Sequence, residues 1–199
     1  SEIFAGTLEE AIVNGDDIPE VWEIRWPEVR AAGDEAIVGD FSLHRVEAPD
    51  YLDDFFFDLD SRSTGGAARG GQGGQVFDLD EEVKVADLPL EGMPHLGAGI
   101  TWERDGTRVM AIPHIDKGQV SVFDMSDWSL ITHIETDGPG FFMRSHENSP
   151  YAWVDVFFGP NHDRMHVIDK QTLEIVETLI PEPGKTSAHV EFDRRGETL

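Results

Sequence analysis

Through the second half of the chain, short apolar runs alternate with polar turns. Residues 141–143 (FFM) and 151–156 (YAWVDV) flank the polar segment 146–150 (HENSP). Each run is too short for a helix and rich in aromatic and β-branched residues, so the pair predicts a β-hairpin. Residues 165–169 (MHVID) and 174–179 (EIVETL) follow around a turn at 170–172. Four antiparallel strands in a unit of about 45 residues is the pattern of a propeller blade.

The pattern recurs. The trios Val76-Phe77-Asp78, Val122-Phe123-Asp124 and Val167-Ile168-Asp169 end at aspartates 46 and 45 residues apart, each before a polar turn and another apolar strand. Ile100-Thr101-Trp102 with Arg104-Asp105-Gly106 is echoed two periods later by Val190-Glu191-Phe192 with Arg194-Arg195-Gly196. These repeats predict an all-β chain, a β-propeller fragment of about four blades. The expected blades cover residues 51–92, 93–137 and 138–183, with 184–199 opening another and 1–50 poorly marked. Within 1–50 the patterns predict a short helix over 8–13, a turn over 14–17, strands at 21–24 and 41–46, and an acidic loop over 28–40. About four blades do not close a ring, so the chain reads as part of a larger propeller with blades missing at both ends.

Composition narrows the partners. The 199 residues carry 40 acids against 15 bases, a net charge of −25, which argues against nucleic acid or an anionic membrane as partner. Cysteine is absent, so the segment forms no disulfide, no thiolate metal site and no c-type heme attachment. No apolar run approaches the ~18 residues of a membrane-spanning helix.

Candidate chemistry lies in the connections. Residues 65–74 hold six glycines and Arg69, without the GK[ST] of a phosphate loop. Arg69 either clamps a carboxylate through its planar fork or is one exposed side chain of a glycine-rich loop; the spacing leaves both open. In a propeller the connections between blades and those between second and third strands share one face. That puts His95, His114, Arg69, residues 158–163 and Lys185 with Thr186 on a common rim, a cationic cluster suited to an anionic ligand. A lone loop histidine is ordinarily solvated or bonded to backbone, and two at equivalent ends of adjacent connections weigh against that reading. His189 alternates with Val190 and Phe192 on an expected innermost strand, facing the channel. Arg144 either points into the channel or pairs with a nearby carboxylate. His133, His162 and His166 read as surface or packing residues, and His146 as part of a turn at the opposite face. With no HxH or HExxH pair, no compact zinc site is expected, and no GxSxG marks a serine nucleophile.

The segments DFFFD, GMPHLGAGITW, AIPH, GPGFFMRSHENSPYAWVDVFFGP, DKQTLEIV and PGKTSAHVEF resemble the d1-heme domain of cytochrome cd1 nitrite reductases and their relatives. The likeness covers about three quarters of the chain, from Asp54 to Gly196, and is similar above all to the branch that includes dihydro-heme d1 dehydrogenase. It implies an eight-bladed propeller holding heme d1 over its channel, in an oxidoreductase that finishes heme d1 for denitrification. Nitrite reduction, and a heme d1 carrier or protein-interaction propeller without catalysis, are the alternatives.

By the resemblance, His95 follows the proline of the distal-pocket motif and handles protons there, a role imidazole suits because it titrates near neutrality. Heme d1 contacts would come from His95, His114, Arg69, His189, Arg144 and Lys185, with Arg69 clamping a tetrapyrrole carboxylate. The family places an arginine where this chain has Ala98, which counts against nitrite reductase. Residues 1–50 hold no counterpart of the proximal iron ligand. The resemblance further implies a periplasmic protein, a c-type heme outside this segment and an electron-transfer cytochrome as partner.

Overall fold

A computed structural model describes residues 2–7, 10–15, 18–25, 29–32, 35–38, 42–49, 52, 54–58, 63–67 and 73–198. The chain divides into two compact units, Ser1–Asp87 and Leu88–Leu199.

In the first unit, β1 (Glu2–Thr7), β2 (Glu10–Gly15) and β3 (Ile18–Arg25) form an antiparallel meander. A separate two-stranded hairpin follows, β4 (Val29–Ala32) with β5 (Glu35–Val38), before β6 (Ser42–Glu47) returns to pair with β3. A second four-stranded meander comprises β7 (Asp54–Asp58), β8 (Ser63–Ala67), β9 (Gly74–Asp78) and β10 (Val83–Leu88). Val21, Val46, Leu52, Phe55, Phe77 and Leu79 bury together in one core. Gly66 in β8 is a packing residue: a Cβ there would lie 2.6 Å from Cδ1 of Leu52.

Two sequence expectations are corrected in this unit. The helix expected over 8–13 is replaced by β2 from Glu10 onward, and the loop expected over 28–40 contains the β4–β5 hairpin. Local propensity is weak beside ladder pairing: β2 has strand partners on both sides, and β4 and β5 partner each other.

The second unit holds two further meanders. One is β11 (Ile100–Arg104), β12 (Thr107–Pro113), β13 (Gln119–Asp124) and β14 (Leu130–Glu135); the other is β15 (Met143–Ser145), β16 (Tyr151–Asp155), β17 (Met165–Asp169) and β18 (Ile175–Leu179). Their faces pack together through Trp102, Val109, Val120, Val122, Met143, Ala152, Val154 and Ile168. Strand alternation selects these residues: in β16, Ala152 and Val154 turn inward while Tyr151 is exposed. Fourth strands lie outermost, and β18 accordingly leaves Val176 and Leu179 exposed.

Two departures here bear on function. The strand expected at 141–143 begins only at Met143, so Phe141 and Phe142 belong to the connection. The strand expected at 190–192 is irregular backbone with no ladder partner among the described residues, and His189 has a left-handed φ of 60°. Among the described residues no helix is long and apolar enough to cross a membrane.

Candidate functional site

Antiparallel order brings the inter-sheet connections and the loops between second and third strands to the same end of each sheet. Backbone hydrogen bonds join them there. Residue 95 donates its N–H to the carbonyl of Pro113 (2.9 Å), and Ile115 donates to Met93 (2.9 Å). In the next connection Thr136 donates to Gly118 (3.1 Å) and Gly140 to His114 (3.0 Å). Gly118 has no room for a side chain, since a Cβ would stand 2.5 Å from the carbonyl oxygen of Thr136. In the third connection Ser187 donates to His162 (3.0 Å), and the Gly184 N–H meets the Asp163 carboxylate (2.8 Å).

Across these three connections runs a row of four rings. His95 lies 4.3 Å from Phe141 between centroids, Phe141 lies 4.7 Å from Phe142, and Phe142 lies 4.6 Å from His189. Phe157 and Phe158, in the loop after β16, join from the side at 5.3 and 6.0 Å from Phe141. None of the six rings is fully buried, and Phe158 is 41 % exposed. The contacts among the phenylalanines fall in the range favoured by aromatic pairs.

His95 has a defined tautomer. Its Nδ1 lies 2.6 Å from the carbonyl oxygen of Phe141. A carbonyl only accepts, so Nδ1 carries the proton and Nε2 of the neutral ring keeps its lone pair. Among the described residues Nε2 has no hydrogen-bond partner.

His114, expected on the rim, lies behind it with no exposure. Its Nε2 is 2.8 Å from Ser121 Oγ, and its Nδ1 is buried without a hydrogen bond. Burial, aided by Lys117, pulls its pKa down to about 4, so it is neutral near pH 7. The sequence placed it correctly at the end of β12, but side-chain direction depends on the fold around it.

His189 meets Arg144, with Nη2 of the arginine 3.2 Å from its Nε2. Glu191 stands 3.9 Å from Arg144 and 3.4 Å from His189. Arg144 therefore has both a carboxylate neighbour and a place beside the ring row. Lys185 is exposed and pairs with Glu182 at 2.6 Å. Arg69 lies outside the described residues. The structure thus brings together His95, His189 and Arg144, joined through Phe141 and Phe142. Among the described residues no cluster of three His, Cys, Asp or Glu side chains is placed to hold a metal ion.

The sequence reading placed the loop 158–163 on the rim but missed Phe141, Phe142, Phe157 and Asp155. The paired FF in GPGFF was visible, but it reads as the start of a strand over 141–143. Asp155 is 1 % exposed and accepts from the backbone N–H groups of Phe141 (2.7 Å) and Phe142 (3.1 Å) through Oδ1.

The chain matches the family model of the cytochrome D1 heme domain over residues 4–199. It is 48% identical to the dihydro-heme d1 dehydrogenase of Pseudomonas aeruginosa over 180 residues, 90% of this chain and 35% of that protein. It is 38% identical to Protein NirF of the same organism over 112 residues, 56% of this chain and 27% of that protein. Among solved structures, dihydro-heme d1 dehydrogenase NirN in complex with DHE superposes with a TM-score of 0.83, at 48% identity, over 94% of this chain and 38% of that one. Hydrazine synthase of Kuenenia stuttgartiensis, at 11% identity and TM-score 0.62 over 85% of this chain and 45% of that one, shares the fold alone. The four-stranded meanders are β-propeller blades, and the chain spans roughly a third of the length of the dehydrogenase it matches.

Proposed function

The chain belongs to the cytochrome D1 heme domain family, and on that premise we propose that it is the heme d1-binding propeller segment of an oxidoreductase that oxidises dihydro-heme d1 to heme d1. The observation that carries this reading is the 48% identity to dihydro-heme d1 dehydrogenase over 90% of this chain.

The residues present fit a flat, anionic macrocycle. The row from His95 to His189 offers partly exposed aromatic faces for stacking, and Arg144 stands at its far end for a carboxylate. When bound, the iron macrocycle supplies the redox chemistry, and the protein supplies orientation and charge. Removing the two hydrogens of the dihydro form releases two electrons and two protons. His95 accepts one of the protons at Nε2, the nitrogen left open by its bond to Phe141, and the other passes to solvent. Phe141 and Phe142 would exclude water from that side of a bound ligand. The electrons leave to a c-type heme outside this segment, whether in the same protein or in a partner cytochrome. The family reading also puts the reaction in the periplasm.

Adding heme d1 to the protein and recording its visible spectrum tests the proposal. The expected result is a bound spectrum that changes in His95→Ala. No spectral response, or a response unaltered by His95→Ala, overturns it.

A further inference from the structure

Asp155 closes β16 directly beneath the connection that carries Phe141 and Phe142. Its carboxylate is inside the protein, with Oδ1 shared by two consecutive amides and Oδ2 buried without a hydrogen bond among the described residues. An ionised carboxylate so placed is a cost to folding unless its hydrogen bonds offset the loss of water. Burial accordingly pushes its pKa up, while the amides of Phe141 and Phe142 pull it back.

The neighbouring blade shows that this corner can be made without a carboxylate. Asp155 opposes Met165 at the last rung of β16, as Pro113 opposes Val120 at the last rung of β12. After each, the next residue donates to the carbonyl of the residue before that rung's partner: His114 N–H to Gln119, Val156 N–H to Arg164. At the earlier corner the N–H of His95 is satisfied by the backbone carbonyl of Pro113. At the later one two amides turn to a side chain instead. The blade architecture does not demand an acid here; the Phe141-Phe142 pair does.

We propose that Asp155 is a positioning residue of the ring row: by holding the amides of Phe141 and Phe142 it keeps these residues out of β15 and turns their rings between His95 and His189. The assignment of a macrocycle as the ligand of that row rests on the reading given under Proposed function. Gly140 fits the same device, because a Cβ there would stand 2.8 Å from the Asp155 carbonyl oxygen, so the connection can approach β16 only without a side chain.

The test compares wild type with Asp155→Asn, and with Asp155→Ser as a smaller second variant, in two measurements. Amide proton shifts and hydrogen exchange at Phe141 and Phe142 are recorded without ligand, and heme d1 affinity is recorded by visible titration. The expected result is that both amides shift upfield and lose protection by at least about ten-fold, with β11–β14 unchanged, and that heme d1 binds at least about ten-fold more weakly. The inference is overturned if the two amides keep their shifts and protection, or if affinity falls only where every strand loses protection alike. Should wild type take up no heme d1, the ligand assignment falls, and the amide measurements alone decide whether Asp155 sets the rings.

Discussion

Nε2 of His114 lies 2.8 Å from Oγ of Ser121, and that same hydroxyl lies 3.0 Å from Nδ1 of the exposed His133. A serine hydroxyl has one hydrogen, so if it donates to one imidazole it accepts from the other. A buried imidazole is in this way joined to one at the surface, with the Gln119 amide 2.8 Å from His133.

This pair makes stability depend on pH. His114 holds a folded pKa of about 4 against an ordinary value of 6.5. Below pH 6.5 the unfolded chain takes up a proton that the folded chain refuses, so stability falls as pH drops toward 4 and levels off beneath. The loss is roughly 3–3.5 kcal/mol when the full shift is traversed. His166, also lowered by burial, adds in the same sense. Asp155, raised by burial, acts oppositely: its contribution declines as pH rises from the ordinary carboxylate value. Urea midpoints between pH 7 and 4 should fall for wild type and fall less steeply for His114→Gln.

Trp102 joins the two blades of the second unit. It is buried in their shared core, and its indole N–H donates to the carbonyl of Lys170 at 3.0 Å. Trp102→Phe should cost about 1–2 kcal/mol for the lost bond and volume, and Trp102→Ala about 3–5 kcal/mol. Urea denaturation measures both, and equal losses would show that the hydrogen bond and the ring make no separate contribution.

Gly140→Ala should disturb the connection more than its size suggests. The added carbon would meet the Asp155 carbonyl at 2.8 Å and Val154 Cγ2 at 3.0 Å. A destabilisation of about 1–3 kcal/mol is expected. It should come with altered ring-current shifts of the Phe141 and Phe142 side chains, read by NMR.

Arg144→Gln should separate binding from folding. The guanidinium is partly exposed and its ion pair is long, so stability should change by less than about 0.5 kcal/mol. If Arg144 receives a ligand carboxylate, heme d1 affinity should fall several-fold and become less sensitive to salt. Lys185→Gln, removing an exposed partner of Glu182, should leave both quantities unchanged.

Strand content was legible in the sequence because its determinants are local. β17 at Met165–Asp169 and β16 at Tyr151–Asp155 follow from alternating apolar residues between turns, and their repeat at 45 to 46 residues implied blades. The connections were legible as a class, which is why His95 and His189 could be placed in them before the structure. What lay beyond reach depended on neighbours distant in sequence. Phe141 and Phe142 read as strand residues until a carboxylate 13 and 14 positions away captured their amides. His114 matched His95 in type and in its place after a proline, yet one ring is sealed behind Ser121 and the other stacks on Phe141. Hydrophobic alternation specifies that a strand forms. Which way a corner residue turns is decided by the sheet packed against it, because only that contact removes water from one side and leaves it on the other.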